Sequence, residues 1–145
     1  MISADDVMTV FARTGLSTTK PRILIAGTIA QLAIDGEDFT ADGLRQRVQE
    51  LDHLIGRATV FRALDVLLEN ALLERIRFAD GSHRFRACAQ KPTHHHHMTC
   101  STCRRIVEID DCFPDDQLQR IARGAGFILD GHAIELFGRC AACQR

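Results

Sequence analysis

Two Cys-x-x-Cys pairs constrain this 145-residue chain more than any other feature. Cys100 and Cys103 form the first pair, and Cys140 and Cys143 form the second. Thiolates are preferred ligands of Zn²⁺, and a structural zinc is almost always held by four protein ligands in a tetrahedron. The two pairs therefore predict one structural zinc site with four cysteine ligands, in preference to two disulfides or four buried thiols.

The expected compartment supports metal over disulfides. Residues 1–6 carry two acids and no apolar run follows them, so the pattern of a cleavable secretory signal is missing. No apolar stretch reaches the ~20 residues that a membrane-spanning helix needs. We therefore expect a cytoplasmic protein with no membrane partner, whose thiols stay reduced and can bind metal.

A block of four histidines, His94 to His97, precedes the first cysteine pair. Such runs are often purification tags, but this one is internal and short, and we interpret it as native. Successive residues of an extended segment point to opposite faces. His95 and His97 would then face one way and His94 and His96 the other, so one strand could supply two metal sites.

Charge is distributed unevenly along the chain, although the net charge is only −1. Residues 57–91 contain seven basic and four acidic side chains, whereas residues 1–56 contain five basic and eight acidic ones. A locally basic segment in a slightly acidic protein favours a defined nucleic-acid surface over a general polycation. A solvated surface is the alternative interpretation of the same charges.

The first 89 residues have the pattern of a winged helix-turn-helix, in which the last helix before the hairpin enters the major groove. The hairpin is basic because it carries Arg75, Arg77, Arg84 and Arg86. Helix caps and apolar periodicity predict four helices, and a strong turn at Asp80-Gly81 predicts the hairpin. The predicted elements are a helix around Val7–Phe11, a buried helix over 23–34, a helix after Thr40, a helix over 57–70, and strands over 72–78 and 83–87.

A polar break at 90–93 predicts a hinge, and the remaining residues predict a second domain. Strands are expected over 106–109, 127–129 and 133–137, with a helix over 115–125. The stability of a domain of about fifty residues is marginal without an additional constraint, which a bound zinc or a dimer interface can provide. The expected fold is α+β: a winged helix-turn-helix domain (1–89), a hinge (90–93), and a small α+β dimerisation domain with the four-cysteine zinc (94–145).

The chain resembles the ferric uptake regulator (Fur) family of bacterial metal-sensing repressors. The resemblance is carried by Thr19-Lys20-Pro21-Arg22, by the segment 58–64, by the histidines before Cys100, and by the ending 138–143. It implies a homodimer that binds palindromic double-stranded operator DNA of metal-uptake genes, with a regulatory metal at the hinge. The DNA-binding residues expected from it and from the exposed side of the fourth helix are Arg22, Arg57, Thr59, Phe61, Arg62, Arg75 and Arg77.

The regulatory metal expected from the resemblance depends on Cys88. Iron-sensing members carry a carboxylate at this position, whereas a thiolate resembles the zinc uptake regulators (Zur). A soft thiolate with imidazoles suits Zn²⁺, whereas a site of nitrogen and oxygen ligands suits Fe²⁺ or Mn²⁺. Zn²⁺ is therefore the expected regulatory metal, with Fe²⁺ or Mn²⁺ as the alternative. Cys88 could otherwise be a small buried apolar residue at the end of the wing.

The resemblance also implies two ligand sets beyond the four cysteines. The sensing site would use Cys88, His95 and His97, with a fourth ligand from Glu74, Glu108 or Asp38. A possible second site would use His94, His96, Asp115 and His132, unless the first two are simply exposed.

Two departures from the family pattern leave the operator sequence open. Phe61 replaces the usual tyrosine of the recognition helix, and Ser17 replaces a basic residue of the first loop. A zinc enzyme is the first competing function, but no His-Glu-x-x-His signature is present, so no enzymatic activity is expected. The second is a redox switch built on Cys88 and Cys112 or a peroxide sensor, which would favour a carboxylate at position 88.

Overall fold

The computed structural model of the chain describes residues 2–88, 95–110 and 112–144. The predicted hinge (90–93) and His94 lie outside these residues. Contacts divide the chain into two compact units. The first unit comprises Met1–Ile76 and His83–Lys91, and the second comprises Arg77–Ser82 and Pro92–Arg145. None of the described helices is long and apolar enough to cross a membrane.

The first unit has the predicted order of helices, followed by the strands of the hairpin, whose turn (Arg77–Ser82) belongs to the second unit. Side chains cap two of its helices: Ser3 accepts from the Asp6 backbone N–H in a capping box, and Thr40 accepts from the Gly43 N–H. Gly36, at φ 67°, ends the second helix in the left-handed conformation that glycine adopts without strain. The elements are α1 (Ala4–Arg13), α2 (Lys20–Asp35), α3 (Ala41–Leu51), α4 (Arg57–Glu69), β1 (Leu73–Arg77) and β2 (His83–Ala87).

The core of the first unit forms around α2, as the apolar run predicted. Ile25, Ile29 and Leu32 are at most 1% exposed and pack in one cluster with residues of α1, α3 and α4. The burial is not complete, because Ile23 and Ile34 remain 52% and 56% exposed. α2 therefore buries one face, whereas Ile23 and Ile34 near its two ends remain exposed.

This difference in burial predicts different costs of truncation. We expect Ile29→Ala to lower the free energy of unfolding by about 2–5 kcal/mol, because it leaves a cavity in a closed core. Ile34→Ala removes the same atoms from an exposed site and should change it by less than about 0.5 kcal/mol. Urea unfolding followed by far-ultraviolet circular dichroism checks both. Equal effects of the two variants would contradict the packing.

The hairpin turns at Asp80-Gly81, as predicted. Gly81 has a φ of 81°, and the Asp80 carboxylate accepts from the Ser82 N–H and hydroxyl at 2.9 and 2.6 Å. These bonds, the Ser82 hydroxyl first, lower the pKa of Asp80 to about 2. Two backbone hydrogen bonds between Phe39 and Phe85 form an isolated antiparallel bridge beside the two-stranded sheet. The hairpin is thereby attached to the segment between α2 and α3.

The second unit is a three-stranded sheet with one helix. Its strands are β3 (His96–Cys100), β4 (Ile106–Ile109) and β5 (Glu135–Gly138). The strand order is β4-β3-β5, with β3 antiparallel to β4 and parallel to β5. The predicted strand over 127–129 is wrong: the segment is irregular, and Phe127 and Ile128 are 70% and 90% exposed. A strand needs a backbone partner, and within the described residues this segment pairs with none of the sheet's strands. The other elements are α5 (Asp115–Gly124) and a 3-10 turn (Ala141–Cys143).

One face of this sheet carries an exposed apolar row. Met98 of β3 lies opposite Val107 of β4 and Leu136 of β5. Directly opposed residues share a face of the sheet. The three side chains are 39% to 44% exposed, so this row is open to contact with another apolar surface.

Candidate metal centres and DNA-binding surface

The β3–β5 ladder brings the two Cys-x-x-Cys pairs together. Cys100 ends β3 and lies opposite Gly138 at the end of β5, so the chain leaving β5 carries Cys140 and Cys143 back to the first pair. The four Sγ atoms, including that of Cys103, lie within 4.8 Å of one another. The second unit therefore contains a four-cysteine cluster able to hold a metal ion.

The sulfur positions fit a tetrahedral ion. The Sγ atoms of Cys103 and Cys140 are 3.7 Å apart. A tetrahedron with Zn–S bonds of about 2.3 Å has sulfur–sulfur edges of about 3.8 Å. A disulfide would bring the sulfurs to about 2.0 Å. The spacing of these two sulfurs thus fits a metal site and not a disulfide.

The local electrostatics favour a cation at the cluster. Backbone N–H groups of Cys103 and Cys140 donate to the Cys100 Sγ at 3.5 and 3.4 Å and lower the pKa of Cys100 to about 6. Hydrogen bonding with Cys140 and then Cys103 raises the pKa of Cys143 to about 12. Four neighbouring thiols cannot all ionise without a compensating charge, and a divalent cation supplies it.

Among the described residues of the histidine block, His96 lies on the opposite face of the sheet from His95 and His97, as the predicted alternation requires. The rings of His95 and His97 meet edge to face with centroids 5.1 Å apart, and His97 lies opposite Glu108 of β4. His96 instead approaches His132, with ring centroids 5.3 Å apart. The second unit therefore brings together three predicted sensing residues on one face: His95, His97 and Glu108.

Two more predicted sensing residues lie together in the first unit. The Cys88 Sγ and a Glu74 carboxylate oxygen are within 4.8 Å of each other, and Cys88 is only half-buried. Asp38 is engaged elsewhere: its carboxylate accepts from Arg84 at 2.7 Å and lies 3.9 Å from Arg86. Glu74 is therefore better placed than Asp38 to act with Cys88.

The predicted second site has a different composition in the structure. His96 and His132 are brought together, whereas Asp115 is exposed at the start of α5 and His94 is not described. The third member of the described cluster is Cys112, whose Sγ is 2.9 Å from the His132 Nε2. Cys112 was not among the ligands predicted from the sequence, in which its position three residues before Asp115 was the available signal.

The recognition helix exposes its basic residues. Arg57 and Arg62 lie on α4, and both are exposed. Phe61, the residue before Arg62, is half-buried. The Arg57 guanidinium lies over the Phe61 ring at 4.7 Å from its centroid. The first turn of α4, which includes Thr59, contains no acid and no side-chain cap. Its positive end is therefore free of competing negative charge and suits a phosphate.

Fewer arginines of the hairpin, the predicted wing, are available to bind DNA than the sequence predicts. Arg75 and Arg77 are exposed, but Arg84 and Arg86 share the Asp38 carboxylate and are partly buried. The first pair can therefore reach phosphates without breaking the ion pairs to Asp38, whereas the second pair cannot.

Arg22 also has a structural contact. Its Nη1 donates to the carbonyl and hydroxyl oxygens of Ser17, which fastens the loop before α2. A contact of Arg22 with DNA would have to replace or share these bonds.

The sequence matches the Ferric uptake regulator family over residues 13–137. The ferric uptake regulation protein of Campylobacter jejuni is 33% identical over 132 residues, which cover 90% of this chain and 81% of that protein. The solved ferric uptake regulator of Vibrio cholerae has a TM-score of 0.64 and 26% identity, with 91% of this chain and 98% of that chain covered.

A solved zinc uptake regulator complexed with zinc and DNA has a TM-score of 0.69, with 97% of this chain and 91% of that chain covered. At 24% identity this likeness shows the fold alone. Ferric and zinc regulators thus both resemble the chain, and the resemblance leaves the metal specificity open.

Proposed function

We propose, since this chain belongs to the ferric uptake regulator family of metal-responsive regulators, that it is a zinc-dependent transcriptional repressor. It would act in the cytoplasm as a homodimer that binds palindromic operators of metal-uptake genes. Regulators of this family are not enzymes, and we propose no catalytic activity. The observation that carries the zinc assignment is the half-buried thiol of Cys88 beside the Glu74 carboxylate.

The four-cysteine cluster would hold a structural zinc. Its four sulfurs leave no open coordination position, which is typical of structural and not of catalytic zinc. An ion there would join the end of β3 to the chain that follows β5. The predicted ligands are Cys100, Cys103, Cys140 and Cys143.

The sensing ion would be bound by Cys88 and Glu74 together with His95 and His97. The first two lie together in one unit and the last two in the other. The resemblance to zinc uptake regulators implies that one ion binds all four residues. A set of one thiolate, one carboxylate and two imidazoles favours Zn²⁺ over the harder ions Fe²⁺ and Mn²⁺.

Metal occupancy would act on DNA binding through the arrangement of the two units. A dimer reads two half-sites only when its recognition helices have the right separation. An ion that binds the DNA-competent arrangement more tightly shifts the population toward it.

The exposed apolar residues of the second unit support the proposed dimer. The row formed by Met98, Val107 and Leu136 is accompanied by exposed Phe127 and Ile128 in the segment after α5. Exposed apolar groups of this kind mark interaction surfaces in soluble proteins. A second copy of the chain is the partner that the family resemblance predicts.

Arg62 tests the placement of α4 on DNA. We expect Arg62→Ala to weaken operator binding by about 5- to 150-fold, because a base contact is worth about 1–3 kcal/mol. Arg13→Ala is the matched control, since it removes an exposed arginine from the end of α1. Fluorescence anisotropy with labelled operator DNA at two salt concentrations measures both. Wild-type affinity of Arg62→Ala would mean that another surface reads the operator.

A metal titration of operator binding tests the function itself. Protein that keeps its structural zinc but lacks exchangeable metal is titrated with buffered Zn²⁺, Fe²⁺ or Mn²⁺. Binding to the promoter DNA of a zinc importer is followed in each case. We expect Zn²⁺ to promote binding at the lowest free concentration. Binding promoted by Fe²⁺ or Mn²⁺ alone would favour the alternative of iron or manganese sensing, and binding independent of metal would contradict the proposal.

A further inference from the structure

A second cluster of metal-binding side chains lies in the second unit, away from the four-cysteine cluster. His96 of β3, Cys112 of the segment before α5 and His132 of the segment before β5 bring one ligand atom each within 4.8 Å of the others. His96 is 5% exposed, Cys112 is half-buried and His132 is exposed. Three separate segments of the chain thus converge on one point.

The three ligand atoms are grouped closely enough to share an ion. The Cys112 Sγ and the His132 Nε2 are 2.9 Å apart, and the rings of His96 and His132 have centroids 5.3 Å apart. A tetrahedral ion with bonds of about 2.3 Å to sulfur and 2.0 Å to nitrogen holds these two ligand atoms about 3.5 Å apart. It could therefore bind this cluster once the Cys112–His132 hydrogen bond opens by about 0.6 Å.

The surroundings of the cluster are apolar. An open cavity of about 270 Å³ adjoins His96 and Cys112 and is otherwise lined by Ile109, Phe113, Pro114, Ile134 and Leu136. A hydrophobic shell limits the access of solvent to a bound ion. An ion at this point would therefore lie against an apolar wall, with exposed His132 on the opposite side.

We propose that Cys112, and not Asp115, completes a second metal site with His96 and His132. One thiolate and two imidazoles form a soft ligand set, which suits Zn²⁺ better than Fe²⁺ or Mn²⁺. The bound ion fastens the segments before α5 and before β5 to the central strand. Its occupancy therefore stabilises the second unit according to the free metal concentration.

Cobalt spectroscopy tests the role of Cys112 directly, because a thiolate bound to Co²⁺ gives a sulfur-to-metal charge-transfer band. The full-length protein is used with its structural zinc in place, in a Cys88→Ser background that removes the other thiol outside the four-cysteine cluster. Zinc content measured before and after the titration shows that Co²⁺ has not entered that cluster. We expect one charge-transfer band that saturates with added Co²⁺.

Two variants in that background separate the candidate ligands. Cys112→Ser should abolish the band and weaken Co²⁺ and Zn²⁺ binding by at least about tenfold, since even outer-shell partners of a metal site contribute 10- to 100-fold. Asp115→Asn should leave both the band and the affinity unchanged. Circular dichroism and retained structural zinc establish that each variant is folded.

Three results would overturn the proposal: no Co²⁺ binding beyond the structural site, binding without the band, or an unchanged band in Cys112→Ser. Weakening by Asp115→Asn alone would instead assign the site to the carboxylate. No DNA enters this assay, so these failures leave the proposed repressor function standing. A failure of metal-dependent operator binding would, in turn, leave this site intact.

Discussion

The Cys140→Ser protein is expected to lose its structural zinc and, with it, the folded second unit. The substitution removes one of four clustered sulfurs, the one that lies 3.7 Å from the Cys103 Sγ. In small zinc domains the metal contributes about 10–16 kcal/mol of apparent binding free energy, and this energy is folding energy. The whole stability of a typical domain is about 5–15 kcal/mol, so the loss cannot be absorbed.

The rest of the second unit offers little compensation. Its strands have only four or five residues, Phe127 and Ile128 remain largely exposed, and Phe137 is about half exposed. The first unit has its own buried core around α2 and should keep its helices. We therefore expect a partial loss of circular dichroism and a monomer, and not complete unfolding.

Three measurements check this prediction: zinc content, molar mass by light scattering and circular dichroism. Ala141→Ser is the matched control, because this exposed residue lies between Cys140 and Cys143 and its substitution removes no sulfur, so the structural zinc should stay in place. Protein concentration requires amino-acid analysis, since the chain has no Trp or Tyr. A zinc-free Cys140→Ser protein that remains a stable dimer would refute the structural role.

The Cys88→Ser protein is expected to keep its structural zinc and its dimer but to lose zinc-dependent operator binding. Cys88 lies with Glu74 in the first unit, apart from the four-cysteine cluster, so the substitution should not disturb the second unit. Loss of the only thiolate of the proposed sensing site should weaken zinc binding at that site by at least about tenfold, because loss of a direct ligand costs more than an outer-shell change. Operator affinity at limiting zinc should fall with it.

Neighbouring carboxylates provide a matched pair of controls. Glu74→Gln should weaken the zinc response, because this carboxylate lies beside Cys88. Asp38→Asn should weaken it less, because the Asp38 carboxylate is bound to Arg84 and approached by Arg86. Cys88→Asp should shift the preference toward Fe²⁺ or Mn²⁺, since a carboxylate is a harder ligand.

Operator binding measured against free zinc distinguishes the two roles of Cys88. The wild-type curve should lie at lower zinc than the Cys88→Ser curve. If the two curves coincide, Cys88 is a packing residue, and iron sensing becomes the favoured function.

Features encoded by neighbouring residues could be predicted from the sequence. The Cys-x-x-Cys spacing, the alternation of the histidines, the helix caps and the Asp80-Gly81 turn are all local. Each depends on backbone geometry within a few residues, which propensity and periodicity describe well. The same local signals identified α4 and the hairpin, and with them the winged helix-turn-helix.

Pairings between distant segments could not be predicted in the same way. The apolar run 127–129 has the composition of a strand, yet it is irregular, with Phe127 and Ile128 exposed, because a strand requires a backbone partner elsewhere in the chain. Arg84 and Arg86 have the pattern of free wing charges, but the structure places them beside Asp38. Partner choice of this kind depends on the relative positions of elements, which local patterns do not encode.

The sequence by itself therefore determines which chemical groups are available to this protein. They are two Cys-x-x-Cys pairs, alternating histidines, a winged helix and a basic recognition helix. Which of these groups act together was settled by folding. The folded chain places Glu74 with Cys88, engages Asp38 with arginines, and puts Cys112 where a carboxylate was expected. A metal site or an ion pair requires its groups to lie within a few ångströms of one another. Only folding brings side chains from distant segments to such short distances.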